Sequence, residues 1–171
     1  MLSVVILTCN SQKYIQACLD SVFRQDTQGI EVVIIDNASS DKTLEIIKGY
    51  LPRVSLIENS KNLGASKARN QGIEYSSGDW ILALDSDVVL KDGFFEKFAS
   101  AQKGFPDDVG MIQPNVLNAD GKTLYSQGIY LSAFRRFHDL NRGRPKDRVE
   151  PMEKKNHRSL LRGCFLQAKH A

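Results

Sequence analysis

The chain has few cysteines and no long apolar segment, and each absence excludes a class of protein. The three cysteines, Cys9, Cys18 and Cys164, form no CxxC pair. Neither a disulfide framework nor a zinc site is therefore indicated, and we expect a reducing, cytoplasmic location. No run approaches the roughly 18 apolar residues that a membrane-spanning helix needs. Residues 1–7 lack the basic segment and cleavage site of a signal peptide and instead predict a first strand.

Several common catalytic and nucleotide-binding motifs are missing as well. The sequence contains no GxGxxG after its first predicted strand, no GxxxxGK(S/T) and no GxSxG. These absences argue against a dinucleotide-binding fold, a P-loop and an α/β-hydrolase. With 171 residues, of which 42% are apolar and 25% charged, the chain has the composition of a globular domain. Disordered, collagen-like and coiled-coil proteins have different compositions.

Charge is distributed unevenly along the chain. Residues 1–133 contain 12 Lys and Arg against 16 Asp and Glu, a net charge of −4, whereas residues 134–171 contain 11 against 4, a net charge of +7. The basic segment could contact an anionic membrane surface or a phosphorylated ligand, so a membrane-peripheral location is one hypothesis. A solvated segment explains the same charges more simply, because most charged runs are merely exposed. No nucleic-acid partner is predicted.

The first ninety residues alternate between two hydrophobic periods. Short apolar runs predict strands, and apolar spacings of three and four predict helices between them. The predicted strands are Ser3–Thr8, Glu31–Asp36, Val54–Glu58 and Trp80–Leu84. We expect Asn10–Ser11 and Ser39–Asp41 to cap the first two helices, and a third helix over residues 65–75. Strands that alternate with helices run parallel, so the sequence predicts an α/β/α sandwich with a mainly parallel sheet.

The pattern is weaker beyond residue 90. It predicts a helix over Gly93–Ala101, a strand over Val109–Val116 that Pro114 interrupts, a turn at 118–121, a loop over 140–158 and a last strand over Leu160–Ala168. We therefore expect an α/β domain over residues 1–133, followed by a basic, loop-rich segment with a last strand over residues 134–171. Because the chain stops directly after that strand, we expect the fold to be incomplete at its C-terminus.

Each of the four predicted strands ends in polar or acidic residues. The strand ends are Thr8–Asn10, Asp36–Asn37, the segment with Asn59 and Asn62, and Asp85–Asp87. In an open parallel sheet, ligands bind beyond the carboxyl ends of the strands. One acidic strand end is usually a turn former or a helix cap. Four polar ends at the same edge instead indicate a binding site.

Asp85 and Asp87 are the most informative pair. Two positions apart on an extended segment, their side chains project to the same side. Adjacent carboxylates repel each other unless a cation lies near them. Oxygen ligands suit Mg²⁺ or Mn²⁺, which keep coordination positions open for phosphate oxygens. The alternative is a solvated turn, since DxD is common by chance.

Other polar residues at this edge support a nucleotide site. Asp36 could accept a hydrogen bond from the N–H of a base, although a helix cap is its alternative role. Gly64 in Asn62–Gly64 permits a close approach of backbone to ligand, and the helix that follows offers free N–H groups. Lys67, in the first turn of that helix, could reach a phosphate. We expect Arg69 on a different face, where an acidic neighbour could pair with it.

Three segments taken together resemble the large glycosyltransferase family 2, whose members have the GT-A fold. They are SVVILTCNSQKYIQACLDSVFRQ, EVVIIDNASSDKTLEII and NLGASKARNQGIEYSSGDWILALDSDVVL. A further segment, VGMIQPNVLNADGKTLYSQG, is similar to the rhamnosyltransferase-like branch. The likeness covers residues 2 to about 130, and it is specific because several spaced motifs occur in the family's order.

The resemblance implies a nucleotide-sugar donor, a UDP- or dTDP-sugar, and inverting transfer of the sugar to a hydroxyl of a glycan or lipid-linked acceptor, as in polysaccharide biosynthesis. The donor's base and ribose would be lined by Thr8, Cys9 and Asn10. The base would contact Asp36, and the nucleotide would lie beside Asn62 and Lys67. The metal, Mn²⁺ or Mg²⁺, would be held by Asp85 and Asp87, with Asp87 the main ligand and Asp85 nearer the ribose. The cation would stabilise the leaving diphosphate while a carboxylate base takes the acceptor proton.

The chain departs from the family at its C-terminal end. The family's base normally follows the segment that is Arg162–Leu166 in this chain, and no acidic residue within 134–171 has the right context. We therefore expect the catalytic base beyond residue 171 and a donor-binding half within this chain. One alternative is a truncated, non-catalytic nucleotide-sugar-binding module or subunit. A nucleotidyltransferase or a metal-dependent phosphotransferase is another, although Thr8 stands where the latter would have a nucleophilic aspartate.

Overall fold

The computed structural model describes residues 1–105, 112–131, 137–149 and 165–168, and the chain divides into two compact units, Met1–Val88 and Val89–Ala171. The first unit alternates strands and helices in the predicted order. Its strands are Leu2–Thr8 (β1), Ile30–Asp36 (β2), Ser55–Glu58 (β3) and Trp80–Asp85 (β4). Its helices are Ile15–Phe23 (α1), Thr43–Lys48 (α2) and Ala65–Tyr75 (α3).

The sheet of the first unit is entirely parallel, with strand order β3-β2-β1-β4. The chain runs outward from β1 through β2 to β3 and then returns to β4 on the other side of β1. Because such crossovers are right-handed, α3 covers the face opposite to α1 and α2. The prediction of a mainly parallel α/β fold is confirmed.

The helix α3 packs closely on the sheet. Its Ala68 lies in a cluster with Val5, Val33 and Ile35, all of which are buried. At Gly72, a Cβ atom would lie 2.4 Å from Ile35 Cδ1 and 2.5 Å from Val5 Cγ1. A glycine at this position therefore permits α3 to approach β1 and β2 closely, which sets the position of every other residue on that helix.

Within its described residues, the second unit contains short strands and one α-helix. Its elements are Val88–Leu90 (β5), Phe94–Gln102 (α4), Asn115–Leu117 (β6), Leu124–Ser126 (β7), Ile129–Leu131 (β8), Phe137–Asp139 (β9), a 3₁₀ turn at Lys146–Arg148, and Phe165–Ala168 (β10). One sheet has the order β5-β10-β6-β7, and β8 pairs with β9 in antiparallel fashion. None of the helices in the described ranges is long and apolar enough to cross a membrane.

Some predicted elements differ from those observed. The strand expected over Val109–Val116 begins only at Asn115, directly after Pro114, whose nitrogen has no hydrogen to donate to a ladder. Residues 106–111 and 160–164 lie outside the described residues, as does the predicted domain boundary at 133/134. The strands β5, β7, β8 and β9 were not predicted, because three residues are too few to show a period.

The predicted helix caps are wrong for Asn10, Ser11, Ser39 and Ser40. Neither α1 nor α2 has a side-chain cap. Instead, the Ser39 hydroxyl accepts a hydrogen bond from the backbone N–H of Asn10 at 2.8 Å. The side-chain oxygen of Asn10, Oδ1, accepts one from the backbone N–H of Ser40, also at 2.8 Å. Of the predicted capping residues, Asp41 does contact the start of α2, since its carboxylate accepts from the Thr43 amide at 3.0 Å.

A polar cluster closes the opposite edge of the sheet, at the amino ends of the strands. The Glu31 carboxylate accepts hydrogen bonds from the Ser3 hydroxyl and from the amide and hydroxyl of Ser77. The Ser3 hydroxyl in turn accepts from the Gly78 amide at 2.9 Å. These bonds, that from Ser3 above all, hold the pKa of Glu31 below its ordinary value of 4.5. The ionised carboxylate therefore ties the loop after α3 to β1 and β2.

We predict that Glu31→Gln lowers the free energy of unfolding by about 1 kcal/mol at pH 7, because a charged acceptor is lost. A carboxyl group with a lowered pKa stabilises the fold above its unfolded pKa and loses that effect as the pH falls. The difference between the two proteins should therefore shrink below the ordinary value of 4.5. Urea denaturation at several pH values measures it. The exposed control Glu74→Gln should change stability by less than about 0.5 kcal/mol at pH 7. An undiminished difference at low pH would contradict this role for the Glu31 charge.

Candidate functional site

An open crevice of about 590 Å³ lies beyond the carboxyl ends of β1 and β4. The strand order reverses at this point, since β2 and β4 flank β1 on opposite sides. In parallel α/β sheets such a reversal separates the loops that follow the two strands and leaves room for a ligand. The lining residues are Leu7, Thr8, Cys9, Asn10, Ser11, Tyr14, Asn37, Asn62, Ala65, Arg69, Asp85, Ser86 and Asp87.

The register of the sheet brings the polar strand ends to one level. Thr8 lies opposite Asp36, and Leu7 lies opposite Asp85. On the far side of β2, Asp36 lies opposite Glu58. The polar ends of four strands therefore share one edge, as the sequence predicts.

Of the eight residues that the sequence indicates for the nucleotide site, six line the crevice: Thr8, Cys9, Asn10, Asn62, Asp85 and Asp87. Asp36 lies at the same edge but is only 1% exposed and is not among the lining residues. Lys67 is exposed and does not line the crevice either. The cation that α3 contributes to the crevice is instead Arg69.

The loops that follow β1 and β2 are bound to each other. Besides the three bonds between Asn10 and the Ser39–Ser40 segment, the Gln12 backbone amide donates to the Asp41 carboxylate at 3.1 Å. Desolvation raises the pKa of Asp41, but hydrogen bonds from Thr43 and Gln12 lower it by more, so that it lies below the ordinary value. Asn10 and Ala38 both have left-handed backbones, with φ of 52° and 64°. Such strain in a residue with a Cβ often marks a functional loop.

A network of amides holds the loop that leads into α3. Asn37 is 3% exposed; its Nδ2 donates to Asn62 Oδ1 at 2.9 Å, and its Oδ1 accepts from the Leu63 amide at 2.9 Å. Asn62 Oδ1 also accepts from the Gly64 amide at 2.8 Å, and Gly64 has φ of 81°. Asn59 joins the network through Asn37 Oδ1. These bonds fix where α3 begins relative to the end of β2.

The Asp85–Asp87 turn is held from three sides. The Ser86 and Ser11 hydroxyls lie 2.8 Å apart, and both side chains are buried. The Cys18 thiol of α1 contacts the Asp85 carbonyl at 3.8 Å. Arg69 Nη2 donates to Asp85 Oδ1 at 2.6 Å. The two carboxylates are therefore presented by a fixed backbone, and Asp85 already has a cationic partner.

Buried polar atoms without a partner are concentrated at this edge. Among the side chains that the structure describes, three buried nitrogen or oxygen atoms lack any hydrogen bond: Thr8 Oγ1, Asp36 Oδ1 and Arg69 Nε. The other carboxylate oxygen of Asp36 accepts from the Ser39 amide at 2.9 Å. Folded proteins leave few such atoms, and each requires an explanation. All three atoms lie at the sheet edge that carries the crevice, and Thr8 and Arg69 line the crevice itself.

The described residues contain no group of three or more His, Cys, Asp or Glu side chains arranged to hold a metal ion. Asp85 and Asp87 are two oxygen donors. That set fits Mg²⁺ or Mn²⁺, which take few protein ligands and keep positions for water and phosphate oxygens. It does not fit zinc, which prefers three or four nitrogen and sulfur ligands.

Sequence reasoning gave Ser11, Tyr14, Ser86 and Asn37 no role at the crevice. It expected Arg69 on a different face with an acidic partner; Arg69 instead lines the crevice, and it does pair with an acidic residue, Asp85. The position of Asn37 and Ser86 could have indicated a role at the site, because each follows an acidic residue at the end of a strand. Ser11, Tyr14 and Arg69 reach the crevice only through the packing of their helices and loops. No local pattern marks them.

Comparison with known proteins agrees with the resemblance found in the sequence. A family model described as Glycosyl transferase family 2 matches residues 3–159. The glycosyltransferase GlyG of Streptococcus pneumoniae serotype 4 is 31% identical over 99 residues, which are 56% of this chain and 33% of that protein. A PGL/p-HBAD biosynthesis glycosyltransferase of Mycobacterium bovis BCG is 34% identical over 93 residues, 53% of this chain and 36% of that protein. The chain thus spans about a third of the length of these curated relatives.

Solved structures share the fold. Staphylococcus aureus TarS 1-349 in complex with UDP-GlcNAc superposes with a TM-score of 0.57 at 28% identity, covering 66% of this chain and 37% of that one. The mannosyltransferase PcManGT from Pyrobaculum calidifontis, in complex with GDP-Man and Mn²⁺, gives 0.55 at 24% identity, covering 68% and 34%, and shows the fold alone. The predicted GT-A fold is confirmed. Because the family model matches most of its length, the chain belongs to glycosyltransferase family 2.

Proposed function

We propose that the crevice binds a nucleotide-diphospho-sugar and that the chain is the donor-binding part of a glycosyltransferase that transfers the sugar to an acceptor hydroxyl with inversion. The observation that carries this proposal is the set of three partnerless buried atoms on Thr8, Asp36 and Arg69 at one sheet edge. Two are acceptor oxygens and one is a cationic N–H donor. A ligand with both N–H groups and anionic oxygens, such as a nucleoside diphosphate, complements that set.

Asp36 is the proposed contact for the base. With Oδ2 bound by the Ser39 amide, Oδ1 is a charged acceptor that lacks a donor. The ring N–H of a uracil or thymine is a suitable donor, which favours a UDP- or dTDP-sugar. The TarS structure, 28% identical, contains UDP-GlcNAc, which supports the uridine form. Thr8, Cys9 and Asn10 would flank the nucleoside, with Asn62 beside it.

A divalent cation, Mn²⁺ or Mg²⁺, is part of the proposal. The crevice carries two carboxylates and one guanidinium, so its net charge is negative and would repel a diphosphate. Asp87 would be the main metal ligand, with Asp85 beside it. The bound cation would supply neutralising charge to the leaving diphosphate. Ser11 and Ser86 would hold the two carboxylates in place.

The acceptor is proposed to be a glycan or lipid-linked hydroxyl, whose proton would leave to a carboxylate base. A second candidate function follows from the absence of an assigned base. In it, the chain is a non-catalytic nucleotide-sugar-binding module or a subunit that another chain completes. Both candidates use the same donor crevice and differ only in turnover.

We predict that UDP binds the chain more tightly with Mn²⁺ than without it, as measured by calorimetric titration. Asp36→Asn should weaken binding about ten- to hundredfold under both conditions, because a charged acceptor is replaced by an amide. Asp87→Asn should weaken binding only when Mn²⁺ is present, since it removes the proposed metal ligand.

The matched control for these variants is Asp26→Asn, an exposed carboxylate in the loop between α1 and β2. It should leave UDP affinity unchanged with and without Mn²⁺. Failure of the unmodified chain to bind UDP under either condition, or equal affinity of the unmodified and Asp36→Asn proteins, would refute the assignment of the crevice.

Turnover distinguishes the two candidate functions. A transferase should release UDP from UDP-GlcNAc over time, alone or with added glycan, and Asp87→Asn should abolish that release. Coupled detection of UDP measures it. UDP binding that is intact but accompanied by no release would favour the non-catalytic module. Products that carry phosphate or nucleotidyl groups would instead favour the phosphotransferase or nucleotidyltransferase alternative.

We further propose a cytoplasmic location in which the basic segment, residues 134–171, contacts an anionic membrane surface. Its net charge of +7 supports this proposal. We predict that the chain binds vesicles containing phosphatidylserine and that binding weakens steeply as salt is raised, because screening shortens the reach of the charges. Sedimentation with vesicles tests this, and salt-insensitive binding or none would remove the idea.

A further inference from the structure

Among the described residues that line the crevice, Arg69 is the sole cationic side chain. Its Nη2 lies 2.6 Å from Asp85 Oδ1, within the range of a strong charge-assisted hydrogen bond. The Arg69 side chain is 34% exposed and that of Asp85 is 63% exposed. The pair therefore lies at the wall of the crevice, where both charges interact electrostatically with a bound ligand.

The fold determines this pairing. The small residues Ala68 and Gly72 allow α3 to pack closely on β1 and β2. Arg69 follows Ala68 and lines the crevice at the edge of the sheet. Asp85 is the last residue of β4 and lies opposite Leu7 of β1. Arg69 Nε is buried and has no partner, so the guanidinium has lost water there without a replacement bond.

The pair changes the charge that the crevice presents. Arg69 and Asp85 cancel each other, so the remaining negative charge belongs to Asp87, which is half-buried. Without Arg69, two carboxylates would face the ligand. A free divalent cation would be attracted more strongly by that site, and a metal-free diphosphate would be repelled more strongly.

We propose that Arg69 is a positioning residue that forms a neutral unit with Asp85 and thereby makes the crevice a receptor for a divalent cation together with a diphosphate, rather than for the free cation. This inference rests on the proposed function, because it concerns the same crevice. Because the Asp85 carboxylate is bound by Arg69, it does not coordinate the metal, and Asp87 is the metal-binding carboxylate. It also keeps the free crevice from filling with a cation before the nucleotide arrives.

The decisive experiment measures two affinities in each variant: Mn²⁺ without nucleotide, and UDP without metal. Arg69→Met should tighten Mn²⁺ binding about three- to tenfold and weaken metal-free UDP binding by a similar factor, since one positive charge is removed at a partly exposed site. Arg69→Lys keeps the charge and should stay within about twofold of the unmodified chain for both ligands. Electron paramagnetic resonance of free Mn²⁺ and calorimetry provide the two readouts.

In Arg69→Met, Mn²⁺ affinity should rise while metal-free UDP affinity falls. Damage to the fold would instead lower both affinities, so the two effects can be told apart. The double variant Arg69→Met/Asp85→Asn removes the neutral unit and should restore both affinities to within about twofold of the unmodified chain. Lys48→Met is the control, because it removes an exposed cation of α2 that pairs with Glu58 outside the crevice. It should change neither affinity.

Two results would overturn the inference while leaving the proposed function intact. One is an unchanged or weakened Mn²⁺ affinity in Arg69→Met. The other is a double variant that loses Mn²⁺ as completely as Asp87→Asn does, because Asp85 would then be a direct metal ligand. If the unmodified chain binds no UDP even with Mn²⁺, the proposed function itself fails, whatever the Arg69 variants do.

Discussion

The rest of the site depends on the register in which the parallel strands β1, β2 and β4 pair, because it brings their carboxyl ends to the same edge of the sheet. Thr8 opposite Asp36 and Leu7 opposite Asp85 bring residues from three distant parts of the sequence to one edge. A shift of one residue in either pairing would turn the side chains of that strand to the other face of the sheet. The apolar residues of β1 and β2 are buried on both faces of the sheet, so the site lies at the edge of the hydrophobic core.

Hydrogen bonds among small polar side chains then convert that edge into a defined site. Asn10 joins the loops after β1 and β2, Asn37 positions the start of α3, and Ser11 and Ser86 hold the turn with the two carboxylates. Most of these donors and acceptors are satisfied within the protein. The partnerless atoms at the same edge stand out against that background, and they are the groups that a ligand would satisfy.

The sequence predicted the parallel sheet, its helices and the edge at which polar residues gather, because those features follow from periodicity and from the direction of the strands. It placed Lys67 of α3 beside the nucleotide, whereas Arg69 is the α3 cation that lines the crevice. That helix buries the small residues Ala68 and Gly72, so no apolar stripe shows which face packs on the sheet. The Arg69–Asp85 pair and the asparagine network join residues from different elements, and no spacing along the chain records such contacts. The helix caps failed because Ser39 and Asn10 bind each other across two loops.

The central claim is that the ends of β1, β2 and β4 form one receptor for a nucleoside diphosphate and its cation. A crystal structure of the chain grown with UDP and Mn²⁺ tests it most directly. We expect the uracil to lie against Asp36, the metal to lie on Asp87, and Arg69 to remain bound to Asp85. A nucleotide bound elsewhere, or one whose base lies far from Asp36, would contradict it.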